Sequence, residues 1–375
     1  MAHKCLRDHG LLIATVMSVV VGGAVGVFCR QLNLSPETIQ LIGFPGEIFM
    51  RMLKMLILPL IVASMITGIA NVDSKSSGRM GLITMGYYIA STVIALMIGV
   101  MLVFTIKPGQ MTSTVPPVPL ATPVHSPTPG QVLLDLVRFS PIGILCLIAG
   151  KILSVQDLTG TVRHLGIYMA TGLAGVIIHM FLVVPLMYFI VTRRNPYRVL
   201  YGVAQALVTA LATESSSATL LVSIRCCEEN LKVHKSIARF VLPIGATINM
   251  DGSAMINCIS AVYVAQLNGI SLGFADVLNL CLLNIMASIG IAGVPGSGIP
   301  SLLMILNSAG LPTHDISLLL PVDWFTSRIA TVTNVCGDCV ATSCVQHLLK
   351  PYADDVTLGD HAPAGGSMVH EYETV

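Results

Sequence analysis

Charge is scarce in this chain. Lysine, arginine, aspartate and glutamate make up 10% of its 375 residues, against about 25% in a soluble domain. With 54% hydrophobic residues, that deficit excludes an ordinary water-soluble globule and predicts a polytopic membrane protein. No basic run is present to attract nucleic acid, and the net charge of +1 says nothing about partners. No nucleophile–base pair or phosphate-binding loop is legible, which argues against an enzyme. No polar mature domain follows the first apolar run, so a cleaved signal peptide is disfavoured. The ten cysteines are scattered, mostly through apolar segments, where they pack as small hydrophobes. Cys336 and Cys339 form a C-x-x-C, but no second pair with ligand spacing follows.

What is present is a series of long apolar runs. Leu11–Phe28 is near the minimum length for a span, and Lys4 and Arg7 before it predict a cytoplasmic N-terminus. Phe44–Val72 reads as a second span, kinked at Pro59, and Met80–Ile106 as a third. Lys107–Gly130, rich in Pro, Ser and Thr, reads as an external loop. Phe139–Val155 is apolar but short, Leu165–Val191 is a full span, and Arg193, Arg194 and Arg198 place the next turn in the cytoplasm. Two crossings from an external loop should end outside again. Either Phe139–Val155 does not cross or a span is missing.

The pattern then changes. Tyr201–Ile224 is broken by Glu214-Ser215-Ser216-Ser217 and carries basic residues on both flanks, so it should enter the membrane and return. Phe240–Leu267 is interrupted at Asn249–Gly252. Phe274–Leu311 is interrupted by four glycines and two prolines between Gly290 and Pro300, a poor continuous helix and a natural second hairpin. Ile316–Leu349 is a last helix crossed by Asp323, Arg328, Asn334 and Asp338. Lys350–Val375 reads as a disordered cytoplasmic tail. The predicted fold is therefore all-α: scaffold helices plus a core of two re-entrant hairpins and two polar or interrupted helices. Residues 1–107 hold N-terminal spans, 108–138 a polar loop, 139–195 further scaffold, 196–349 the transport core and 350–375 the tail. Hairpin-then-broken-helix repeats with polar groups at mid-membrane are a transporter plan.

Asn249, Asp251, Asn334 and Asp338 offer hard oxygen ligands, with backbone carbonyls freed by unwinding near Gly252. That donor set suits Na⁺; plain polar pairing between helices is the alternative. Ser215, Ser216 and Ser217 supply hydroxyls, N–H groups and a helix N-terminus starting near Ala218, an anion site in physical terms; a flexible turn is the alternative. No organic cofactor is implied. Asn33-Leu34-Ser35 is a sequon, and Tyr372-Glu373-Thr374-Val375 could fit a domain that captures C-terminal carboxylates.

At this point the residues resemble a family. Ser215-Ser216-Ser217-Ala218-Thr219-Leu220, Leu242 to Gly252, Ala287-Ser288-Ile289-Gly290, Ala292-Gly293-Val294-Pro295, Asp323-Trp324 and Thr331 to Asp338 are similar to the core of the sodium-coupled glutamate and neutral amino acid transporters. Met50 to Met55, Leu58 to Ile61 and Leu147 to Ile152 extend the likeness upstream. The resemblance implies a multi-pass protein of the cell membrane, a homotrimer, and an elevator movement of the core. It implies that Ser216, Ser217 and Asn334 hold the substrate carboxylate with the hairpin backbone at Val294 and Pro295. Thr331 would approach the amino group and Ser253 the side chain. Asn249, Asp251, Asn334, Asp338, Gly245, Ser91 and Thr92 would form the sodium sites.

Departures from the family pattern redirect the substrate. Relatives carry Asp at the position of Ser327, where it pairs with the ammonium group, and the glutamate carriers carry Arg at the position of Ala330. A proton-carrying Glu stands where this chain has Asn257. These changes predict a carrier of neutral amino acids, with Glu214 supplying the lost negative charge. Part of the family scaffold also looks absent, since Val132 to Arg138 is joined directly to Phe139-Ser140-Pro141. The alternatives are a glutamate-type symporter with an altered site, and a transport-inactive subunit that co-assembles with full-length relatives.

Overall fold

The computed structural model describes residues 17–18, 20–32, 34–35, 37–46, 48, 78–109, 142, 145–146, 148–150, 152–153, 158–290, 293 and 296–359, with 350–359 described as backbone alone. Among them there is no β-strand. Numbering starts at α1, Gly78–Ile106, which follows a shorter apolar helix, Val20–Arg30. Then come α2 (Leu158–Ile178), α3 (Val184–Thr192), α4 (Tyr197–Gly202) and α5 (Ala204–Thr213). The core continues as α6 (Ser216–Glu229), α7 (Lys235–Ile248), α8 (Asp251–Leu267), α9 (Phe274–Gly290), α10 (Gly298–Ser308) and α11 (Ile316–Gly359). Among the described residues, two stretches, Gly78–Ile106 and Thr159–Thr192, are long and apolar enough to cross a membrane.

Helix α8 is the axis of the bundle. Fifteen of its residues from Asp251 to Gln266 are buried, and α1, α2, α9, α10 and α11 pack around it. A helix apolar nearly all round has to be enclosed on every side. Helices α5 and α6 pack against each other as one hairpin, and α9 and α10 as another. Between α2 and α3 the chain adopts a π-helical segment, His179–Val183. Pro185 causes it: proline lacks an N–H and its ring collides with the carbonyl four residues earlier. That carbonyl, of Phe181, takes the Tyr197 hydroxyl instead at 3.4 Å.

Several expectations meet the structure here. The first break falls at Glu214 and Ser215, with Glu214 in the left-handed region at φ 55°. Helix α6 begins at Ser216, two residues earlier than Ala218, because the Ser215 hydroxyl caps it by accepting from the Ala218 N–H at 3.1 Å. The second break is confined to Asn249 and Met250. Gly252 is already helical, and its missing side chain serves packing: a Cβ there would strike the Ala330 carbonyl and lie 2.9 Å from Thr333. The last helix does not stop at Leu349 but carries the start of the expected tail to Gly359. The Lys107–Gly130 loop beyond Gly109, the span over 49–72, the Asn33 sequon position and the C-terminal Tyr372–Val375 lie outside the described residues, as does much of Phe139–Val155.

Candidate functional site

The breaks bring the polar residues together. Asp251 is fully buried and accepts hydrogen bonds from Ser91, through Oδ2, and from Thr92, through Oδ1 at 2.7 Å. Both hydroxyls come from consecutive positions of α1, which packs along α8. Asp338, on α11, is buried as well, and its Oδ1 accepts from Asn249 Nδ2 at 2.9 Å. The other side-chain atom of Asn249, Oδ1, is buried with no hydrogen-bond partner among the described residues. Gly245 makes the approach possible: a Cβ there would lie 2.5 Å from Asp338 Oδ1 and 2.6 Å from the Tyr88 hydroxyl. At Gly337 a Cβ would come within 3.3 Å of Asn249 Nδ2 and 3.4 Å of Asp251 Oδ2, so both carboxylates belong to one cluster.

This donor set fits a hard monovalent cation. Two buried carboxylates with no lysine or arginine paired to them among the described residues are costly unless a cation joins them. The Asn249 side-chain oxygen, unpartnered among the described residues, adds a neutral oxygen ligand without charge.

Asn334 sits between this cluster and the hairpin tips. Its Oδ1 accepts from the Gly252 N–H at 2.8 Å and the Ser253 N–H at 3.4 Å, capping α8 from the side, while its Nδ2 donates to Ser253 Oγ at 3.1 Å. The tips themselves meet. The Gly293 carbonyl accepts from the Ser217 N–H at 3.1 Å and from the Ser215 hydroxyl at 2.5 Å. Ser216 is buried beside them. Along α11, Thr331 donates to the Ser327 carbonyl at 2.8 Å and Ser327 donates to Asp323 Oδ1 at 3.0 Å. Ala330 is buried against Gly252, and the Asn257 amide donates to Ser301 at 2.9 Å. Val294 and Pro295 lie outside the described residues.

Glu214 lies between Arg328 and the tip of the second hairpin. Its Oε2 is 3.5 Å from Arg328 and its Oε1 accepts from the Gly296 N–H at 3.3 Å. Arg328 also donates to the carbonyls of Leu211 and Ala212, at 2.8 and 2.9 Å, which end α5. The cation thus closes the exposed carbonyls of a helix C-terminus and the pair ties both hairpins to α11.

Two residues of the site were not anticipated from sequence. The Tyr88 hydroxyl donates to the Val241 carbonyl at 3.0 Å and stands over Gly245. His179, fully buried, places Nε2 3.4 Å from Asp251 Oδ2, and neither ring nitrogen has a hydrogen-bond partner among the described residues. A signal for His179 was there: it is the single His, Lys, Arg, Asp or Glu in Leu165–Val191, and an ionisable residue in a span marks function by default.

Broken hairpins closing over a buried carboxylate cluster define a membrane transporter rather than an enzyme. The chain belongs to the sodium:dicarboxylate symporter family, whose model matches residues 11–138 and 130–348 in two stretches. It is 36% identical to excitatory amino acid transporter 1 of Ambystoma tigrinum over 479 residues, covering 98% of this chain and 88% of that protein. It is 37% identical to excitatory amino acid transporter 3 of Homo sapiens, covering 92% and 87%, and 36% identical to the human excitatory amino acid transporter 2, covering 94% and 81%. The first alignment runs over 479 positions and this chain has 375 residues, so the salamander protein carries segments that it lacks.

Proposed function

We propose that this chain is a sodium-coupled, secondary-active carrier of small neutral amino acids in the cell membrane, moving its core as an elevator within a homotrimer. One observation carries the substrate class. Arg328, the cation on this part of α11, is occupied by Glu214 and by the Leu211 and Ala212 carbonyls, and its neighbour Ala330 brings no charge. A second carboxylate on the substrate would have no free guanidinium to meet, and an unpaired buried charge is strongly unfavourable. The serine tips and Asn334 remain for the single α-carboxylate, and Thr331 and Ser253 for the rest of a small solute. Na⁺ is the co-transported ion, with Ser91, Thr92, Gly245, Asn249, Asp251, Asn334 and Asp338 as its sites.

Two other readings have support of their own. The relatives are excitatory amino acid transporters, which favours an acidic amino acid as substrate. The shorter chain, with its family match divided at residues 130–138, favours an inactive subunit that co-assembles with full-length relatives, with trimer assembly altered. Uptake of labelled amino acids into liposomes containing this chain alone separates the three. Sodium-driven uptake of alanine or serine, uncompeted by glutamate, is the expected result. Uptake of glutamate or aspartate instead establishes the second reading, and no uptake of any amino acid the third.

A further inference from the structure

We infer that Asp323 is the counter-charge for the substrate's ammonium group, presented to it through the hydroxyl of Ser327. The inference deepens the reading of a neutral amino acid carrier and rests on it. A zwitterion brings one positive charge into the site, and that charge needs a partner. Of the carboxylates at this end of α11, Glu214 is spoken for by Arg328 and by the Gly296 N–H. Asp323 is not. Among the described residues no lysine, arginine or histidine pairs with it, and the like-signed Glu214 acts on it.

Its surroundings place it at the solute. Asp323, Ser327 and Thr331 stand four residues apart and so share one face of α11, the face that reaches Asn334 three residues further on. The Ser327 hydroxyl donates a hydrogen bond to Asp323 Oδ1 at 3.0 Å. Its oxygen lone pairs, made more basic by that bond, are then free to accept from an N–H⁺, with the carboxylate one step behind. Hairpin 2 presents bare backbone here: a Cβ at Gly298 would lie 3.0 Å from Ser327 Oγ and 3.2 Å from Asp323 Oδ1. Both atoms therefore face the first turn of α10, where the second tip closes. A half-buried carboxylate without a cation carries a desolvation cost, and an ammonium group relieves it only while bound. A solute that lacks the ammonium gains nothing from Asp323.

The test compares alanine with lactate, the same solute with hydroxyl in place of ammonium, as ligands of the full chain in liposomes. In the unaltered protein alanine should bind far better. Asp323→Asn keeps the shape and the acceptor for Ser327 but removes the charge. It should raise the KM for alanine about tenfold or more, equivalent to about 1.4 kcal/mol, while the weak inhibition by lactate and the sodium half-saturation stay put. Ser327→Asp in the Asp323→Asn background sets a carboxylate within about one side-chain length of the lost one and should restore alanine affinity. An unchanged alanine-to-lactate ratio in Asp323→Asn overturns the inference. So does a ratio that falls in Glu214→Gln and not in Asp323→Asn. Where Asp323→Asn fails to reach the membrane, Ser327→Ala, which keeps the charge and removes the relay, should lower the same ratio, and an unchanged ratio there counts against it. If the unaltered chain takes up no amino acid, the functional reading falls and this inference with it. If it takes up alanine and Asp323→Asn does so equally well, only this inference falls.

Discussion

Asn249 donates through Nδ2 to Asp338 Oδ1 at 2.9 Å, and this bond fastens the unwound end of α7 to the polar helix α11. Asp338→Asn keeps an acceptor for that bond and removes a buried negative charge that has no paired lysine or arginine among the described residues. The fold should therefore survive, with a melting temperature equal to or above that of the parent, since removing an uncompensated buried charge is neutral or stabilising. Sodium half-saturation should rise about tenfold or more, the loss of one charged ligand being worth at least about 1.4 kcal/mol. Sodium titration of uptake, beside a thermal melt in detergent, separates the two effects.

Gly245→Ala should be far more damaging than Gly81→Ala. The first adds a methyl 2.5 Å from Asp338 Oδ1 and 2.6 Å from the Tyr88 hydroxyl, whereas nothing lies within 4 Å of the second. Overpacking of this kind costs about 1–3 kcal/mol. Gly81→Ala, on an open helix position, should be neutral or slightly stabilising. Paired melts and sodium-dependent uptake assays check both directions.

Ser215→Ala removes two bonds at once, the cap on α6 and the link to the Gly293 carbonyl. Loss of a helix cap alone costs about 0.5–2 kcal/mol. Hydrogen exchange should accelerate at Ser217, whose N–H also bonds to Gly293, and at the start of α10. Peptides from the middle of α8 should keep their protection. Equal exchange in parent and variant would show that the tips are not held together by this serine.

Away from the site, the Arg239 guanidinium hydrogen-bonds Glu228 at 2.8 Å and holds its carboxyl below the ordinary value of 4.5. A depressed folded pKa means stability that is present above the unfolded value and lost as pH falls through the folded one. Arg239→Gln should therefore lower the melting temperature slightly at neutral pH. The difference from the parent should shrink once the pH drops below about 4.5 and continue to shrink further down. Because the pair is at the surface, the whole effect should be small and should fade in salt.

The breaks that draw the candidate site together could be read from sequence because interruptions in apolar runs are loud. Glu214 to Ser217, Asn249 with Met250, and the glycine-proline run before Gly298 interrupt segments that otherwise have no reason to stop. What the sequence left out depends on tertiary partners. The role of Gly252 is set by Ala330 and Thr333, eighty residues away, so a glycine that reads as a breaker is a packing position inside a helix. The fate of Glu214 is set by Arg328 across the hairpin, and no local pattern announces that pair. His179 is turned toward Asp251 from a π-helical turn beside Pro185, whose extra residue per turn changes the face that any helical periodicity would assign.

Na⁺ at Asp251 and Asp338 and an amino acid at the hairpin tips are expected to bind as one unit. Alanine affinity of the purified chain, measured across sodium concentrations with choline as the replacement cation, tests it directly. Affinity should climb steeply with sodium in the parent, and in Asp338→Asn that climb should move to about tenfold higher sodium. Alanine binding of equal strength in sodium and in choline would contradict it.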